Sequence, residues 1–215
     1  MLGESVSINL NVYTQIDPWN LFDSGGDETQ PAGVAYSGGK VYAISDSTTN
    51  KTRITVNPGQ GDEVLVIPNT NVGYLDGVNT VAQFKQPSAI AADQSGNMYI
   101  ADTGNCRIRK IAAVTYSVST VAGGDCSASP VFVNISGIAL DSSDNIYVTE
   151  SANGAIYFVT PSGTVSKINA TDSNTGLAAT FTSPKGIAYY STGTSTDYMY
   201  VTQTDGSIRK ITVSK

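Results

Sequence analysis

Asp102 and Glu150 are the carboxylates that most suggest chemistry, because they fall at one place in a recurring pattern whose other copies carry Ser45 and Gln203. A ring of acidic side chains could hold a divalent cation or move protons. A mixed Ser, Asp, Glu and Gln set also has a plainer use: accepting hydrogen bonds from nearby turn amides. We read the four residues mainly that way. The 215 residues include no histidine, so the commonest general base, triad partner and zinc ligand is missing. We therefore assign no catalytic, cofactor-binding or metal-binding residue.

Basic and aromatic side chains offer binding chemistry instead. Arg107, Arg109 and Lys110, with Arg209 and Lys210, recur at one register. Such a row ordinarily forms a solvated face, and its functional reading is a patch for an acidic partner or a glycan. Tyr42, Tyr99, Tyr147 and Tyr200 also recur, and core packing outweighs a sugar-stacking ring for them. Trp19, the only Trp, lies in the loop-like stretch 17–23 and is a candidate partner anchor. The acidic, Gly-rich residues 23–28 follow it, where calcium is conceivable although no EF-hand spacing is present.

An internal repeat positions these residues. Pro31, Pro87, Ile135 and Pro184 each open an apolar strand, and their numbers lie 56, 48 and 49 residues apart. After each opening come a short polar turn, a strand carrying the recurring Tyr, another turn and a third strand. Outer strands are read at 63–67, 117–122 and 164–168, from alternating side chains. That period fits one four-stranded blade. Phe84, Phe132 and Phe181 each precede an opening by three residues and should pack between blades.

The fourth repeat stops after its third strand, while residues 4–14 form an alternating strand with no partner before it. We expect an all-β propeller over 1–215, of four antiparallel four-stranded blades, in which the N-terminal strand completes the last blade. Alternatively, that strand clasps a neighbouring molecule and builds an oligomer or filament.

The stretch from Gly73-Tyr-Leu-Asp-Gly77 through Phe84-Lys-Gln-Pro to Gly96-Asn-Met-Tyr-Ile-Ala-Asp-Thr-Gly-Asn-Cys-Arg-Ile-Arg-Lys-Ile111 resembles an NHL repeat. The resemblance weakens through repeats three and four and is faintest in repeat one. It implies a β-propeller, usually of six blades, so four repeats depart from the family habit and mean either an unusually small ring or a piece of something larger. Relatives with lyase activity use His-bound zinc, which this chain cannot supply. Calcium-dependent hydrolases on similar propellers use channel carboxylates, which keeps a metal-dependent hydrolase or lyase as the alternative function.

In the repeat register, Cys106 begins a third strand and Cys126 lies just past the fourth. Antiparallel neighbours bring those ends together, which predicts a disulfide; two unpaired thiols are the alternative. Asn50, Asn134 and Asn169 stand in Asn-x-Ser/Thr sequons that permit N-glycans. Together these features point to a secreted, extracellular chain. Residues 1–11 alternate polar and apolar types, so no signal peptide is read. A net charge of -6 argues against nucleic acid, and no apolar run suits membrane insertion. The expected function is a non-enzymatic extracellular scaffold for a protein or glycan partner, with self-assembly through the N-terminal strand as one form of it.

Overall fold

The computed structural model describes residues 29–47, 52–56, 64–65, 67, 71–127, 130–171 and 176–214. These residues form four sheets. The first holds β1 (Thr29–Ser37), β2 (Lys40–Ser47), β3 (Arg53–Val56) and β4 (Val64–Leu65). The second holds β5 (Pro87–Ala92), β6 (Met98–Asp102), β7 (Arg107–Ile111) and β8 (Val118–Gly123). The third holds β9 (Ile135–Leu140), β10 (Ile146–Glu150), β11 (Ala155–Val159) and β12 (Val165–Lys167). The fourth holds β13 (Pro184–Tyr190), β14 (Thr196–Gln203) and β15 (Ile208–Ser214). Each sheet is an antiparallel meander in chain order, the geometry of a propeller blade.

Local sequence explains the strand boundaries. Asp93 closes the β5–β6 turn by accepting the Asn97 amide N–H at 2.8 Å and its Nδ2 at 2.7 Å. Asp141 and Asn145 repeat the motif between β9 and β10, at 3.0 and 2.9 Å. These are side-chain turns that fix where the hairpin reverses. Near each opening residue the register slips, between Pro31 and Gly33, Pro87 and Ala89, and Pro184 and Ile187, and opposite β9 between Thr149 and Glu150. A bulge there re-aims the start of every blade's first strand.

The core lies between blades. Tyr42, Ile44 and Ile54 of the first blade meet Ile90, Met98 and Ile100 of the second. Tyr99, Ala101 and Ile108 of the second meet Ile138, Ile146 and Val148 of the third. Alternate residues of one strand thus serve two interfaces, which is why β6 is buried along its whole length. Phe84 and Phe132 are buried in these cores, as their spacing predicted; Phe181 is half-buried.

Neighbouring first strands pack in order, β1 on β5, β5 on β9, β9 on β13. Hydroxyls stitch them together. Ser88 Oγ and Thr103 Oγ1 donate to the Ile135 carbonyl at 2.7 and 2.9 Å, and Ser136 Oγ donates to the Pro184 carbonyl at 2.6 Å. The approach is close: a Cβ on Gly137 would lie 2.5 Å from the Lys185 carbonyl oxygen. The fourth blade has three strands among the described residues, and the expected N-terminal strand at 4–14 lies outside them.

Candidate functional site

Asp102, Glu150 and Gln203 end the second strands of their blades, and each fastens the segment that enters its own blade. Asp102 Oδ1 accepts the Lys85 N–H at 2.8 Å, and Gln203 Oε1 accepts the Thr182 N–H at 2.7 Å. Glu150 accepts the Asn134 N–H on one oxygen and the Asn153 N–H on the other, the latter at 2.7 Å. These contacts match the turn-fastening role read from the sequence. Ser45 is buried at the equivalent place, its hydroxyl without a partner among the described residues. Among those residues no group of three or more His, Cys, Asp or Glu side chains could hold a metal ion.

Arg109 departs from the sequence reading. It does not lie on a solvated face but is fully buried, so it cannot meet a partner. Its Nη1 donates to Asp102 Oδ2 at 2.8 Å and to the Gln83 carbonyl at 3.0 Å. Its Nη2 donates to Asp76 Oδ1 at 2.7 Å and to the Leu75 carbonyl at 2.8 Å. The guanidinium carbon lies 4.9 Å from the Phe84 ring centroid. Burial pushes the Asp102 carboxyl above the usual aspartate range, opposed by hydrogen bonds from Asn105 and the Lys85 amide and by the Arg109 charge. A planar five-donor fork suits this task, because one side chain can hold two carboxylates and two carbonyls. Strand alternation placed Arg109 on a face; only the fold of residues 71–84 over that face buries it.

Those residues form a loop clamped on the second blade. Bridges join Val72 to Phe84, Leu75 to Gln83 and Gly77 to Val118. The clamp leaves Val72, Tyr74, Leu75 and Val78 exposed. Arg107, half-buried at the start of β7, lays its guanidinium 3.6 Å from the Tyr74 ring centroid. The result is a fixed apolar and aromatic surface with one cation at its edge. Sequence reasoning singled out Arg107 for binding but took residues 73–77 only as part of the NHL resemblance, because the loop's apolar residues carry no strand or helix period.

The cysteines are joined. Cys106 and Cys126 form a disulfide with Cα atoms 5.5 Å apart, as the register predicted.

Residues 84–111 match the NHL-repeat family model. The match takes in β5, β6 and β7 of the second blade. It contains Phe84, Asp102, Cys106, Arg107 and Arg109, so the buried ion pair and one half of the disulfide sit inside the matched residues. Comparison of the whole sequence with curated proteins finds no match. Among solved structures, the fold is similar to a protein of unknown function from Bacteroides thetaiotaomicron, with TM-score 0.59 and 15% identity, over 86% of this chain and 47% of that one. It is equally similar to an auxiliary nutrient binding protein from the same organism, with TM-score 0.59 and 16% identity, over 85% and 47%. The chain thus spans about half the length of each. A looser likeness, TM-score 0.44 at 15% identity over 86% and 71%, is to virginiamycin B lyase from Staphylococcus aureus, and at that score it decides nothing.

Around the second blade, the other sequence candidates fall as follows. Asn134 and Asn169 are exposed, and Asn169 lines a cleft of about 420 Å³ with Asn153, Lys167 and Thr180. Asn50, Trp19 and the acidic stretch 23–28 lie outside the described residues. Tyr42, Tyr99 and Tyr147 are core residues. Tyr147 stacks on Tyr189 with centroids 5.0 Å apart. Burial, with Asp141 beside one ring and Asp197 beside the other, drives both phenols well above the usual tyrosine value.

Proposed function

We propose that this chain is a non-enzymatic extracellular binding scaffold, and that the surface of loop 71–83 with Arg107 meets a protein partner. The observation that carries this reading is the clamp. Arg109 and Asp102 hold the loop from beneath, so Tyr74, Val72, Leu75 and Val78 are displayed without a further ordering cost on binding. Tyr and Arg are the side chains that most often dominate interfaces, and here they are already paired. The recurring carboxylates serve the scaffold, since their oxygens accept backbone N–H groups.

Three further features support the reading. One fold neighbour is described as an auxiliary nutrient binding protein. The disulfide fits an oxidising compartment. Exposed sequon residues Asn134 and Asn169 leave room for glycans. Self-association through the strand read at 4–14 is compatible with the same scaffold role.

The test is to screen the labelled chain against arrays of secreted-protein ectodomains and of glycans, alongside Tyr74→Ala and Arg107→Ala. Protein hits weakened at least tenfold by both variants, with unchanged circular dichroism, support the reading. Hits on glycans alone, or hits indifferent to both variants, overturn it. Calcium-dependent turnover of a lactone or ester panel, lost in Glu150→Gln, would instead establish the enzyme alternative.

A further inference from the structure

Equivalent positions of the four blades should share one environment if every blade had two neighbours, and they do not. Ile54, Ile108 and Ile156 are each 0% exposed, whereas Ile208, at the same place in the fourth blade, is 67% exposed. Tyr42, Tyr99 and Tyr147 are 2%, 2% and 4% exposed, whereas Tyr200 is 39% exposed. On the other side of the blade, Ile90 and Ile138 are 5% and 7% exposed, whereas their counterpart Val34 in the first blade is 70% exposed and nearby Tyr36 is 73% exposed. Ile208 and Tyr200 belong to the set that faces the next blade in chain order. Val34 and Tyr36 belong to the set that faces the preceding one.

The two exposed faces are therefore unmatched halves of an interface that the molecule builds three times internally. Their detailed chemistry also corresponds. The residue in the place of Tyr200 packs on the residue in the place of Tyr36: Tyr147 stacks on Tyr189 at 5.0 Å, while Tyr99 shares a core with Leu140. In two of the three internal interfaces the second residue of the first strand donates to the carbonyl of the next opening residue, Ser88 to Ile135 and Ser136 to Pro184; in the first blade that place is Ala32. Lys185 occupies that place in the fourth blade, exposed and carrying a donor. Scattered apolar residues are ordinary on a surface, but two contiguous faces built to a common internal pattern are not.

We propose that the outer faces of the first and fourth blades form one further inter-blade interface, completed by a second copy of this chain docked head to tail. Tyr200 of one copy would then stack on Tyr36 of the other, with Ile208 covered by Val34. Such a contact is heterologous, and it gives a closed ring or an open array according to the rotation between copies. This surface is distinct from loop 71–83.

The experiment is light scattering on the 215-residue chain across a wide concentration range, with Tyr36→Asp and Ile208→Asp as single variants. Both positions are exposed, so both variants should keep the wild-type circular dichroism. We expect wild type at twice the 22.4 kDa chain mass or a higher multiple, and each variant alone as a monomer. An equimolar mixture of the two variants should recover a dimer, because each retains the face the other has lost. A monomeric wild type at the highest concentration overturns the proposal. So do assemblies that persist in both variants, which would place self-association on another surface.

Discussion

Replacing Arg109 with Met tests whether the buried cation organises the second blade. The substitution keeps much of the side-chain volume but removes every donor. Asp102 Oδ2 would keep only Asn105 as a partner, at 2.8 Å; the Leu75 carbonyl would keep the Gln83 N–H but lose Arg109, and the Gln83 carbonyl would lose its Arg109 donor. Breaking a buried ion pair from one side costs about 3–5 kcal/mol, since the remaining charge is uncompensated. For a chain of this size that corresponds to a melting temperature lower by roughly 10 °C. Urea unfolding followed by circular dichroism at pH 7 measures it, with an unchanged m-value showing that the same surface is exposed. The pH dependence is the sharper check. Burial already raises Asp102 above its unfolded value, and losing Arg109 raises it further. The folded variant therefore takes up a proton at higher pH than the unfolded chain does. Its deficit relative to wild type should shrink as pH falls from 7 toward about 4.5. A cost below about 1 kcal/mol, or a deficit that does not narrow on acidification, would refute the reasoning.

Three other perturbations should have definite outcomes. Reducing the disulfide, whose Cys126 end is exposed, releases a loop of sequence separation 20 and should cost about 3 kcal/mol, seen as a lower melting temperature with reductant; an unchanged melt would count against it. Gly123→Ala should destabilise by more than about 1 kcal/mol in urea, because φ is +93° and a Cβ would sit 2.2 Å from the Cys106 carbonyl oxygen; a neutral result would mean that backbone gives way. Tyr147 and Tyr189 hold their protons in the fold beyond the ordinary value of 10.0, so their contribution to stability is full below pH 10 and is lost as pH rises above it. Absorbance at alkaline pH should show these two phenols ionising only with unfolding, and early ionisation in step with the exposed tyrosines would contradict their burial.

Much of the architecture was legible because it is local and repeated. The spacing of Pro31, Pro87, Ile135 and Pro184 reports a supersecondary unit, and alternation within each strand reports a sheet. The disulfide followed from the same register, since pairing two neighbouring strands places the ends of both beside each other. The turn-fastening use of Asp102, Glu150 and Gln203 was legible for a similar reason: the partners are amides of the segment entering the same blade.

Three-dimensional packing decided what depends on which surfaces meet. Arg109 and Arg107 sit two residues apart on one strand, so alternation puts them on the same side; loop 71–84, arriving from outside the strand pattern, buries one and leaves the other half-exposed against Tyr74. The four recurring tyrosines read alike in sequence, yet Tyr200 differs from Tyr42, Tyr99 and Tyr147 because no described blade covers its face. The amino-acid sequence alone determined the repeat, its strands and its covalent bridge, because those rest on short-range stereochemistry and side-chain period. Only the tertiary structure determined which charge is buried and which repeated side chains face solvent, because burial belongs to a pair of surfaces and not to a residue.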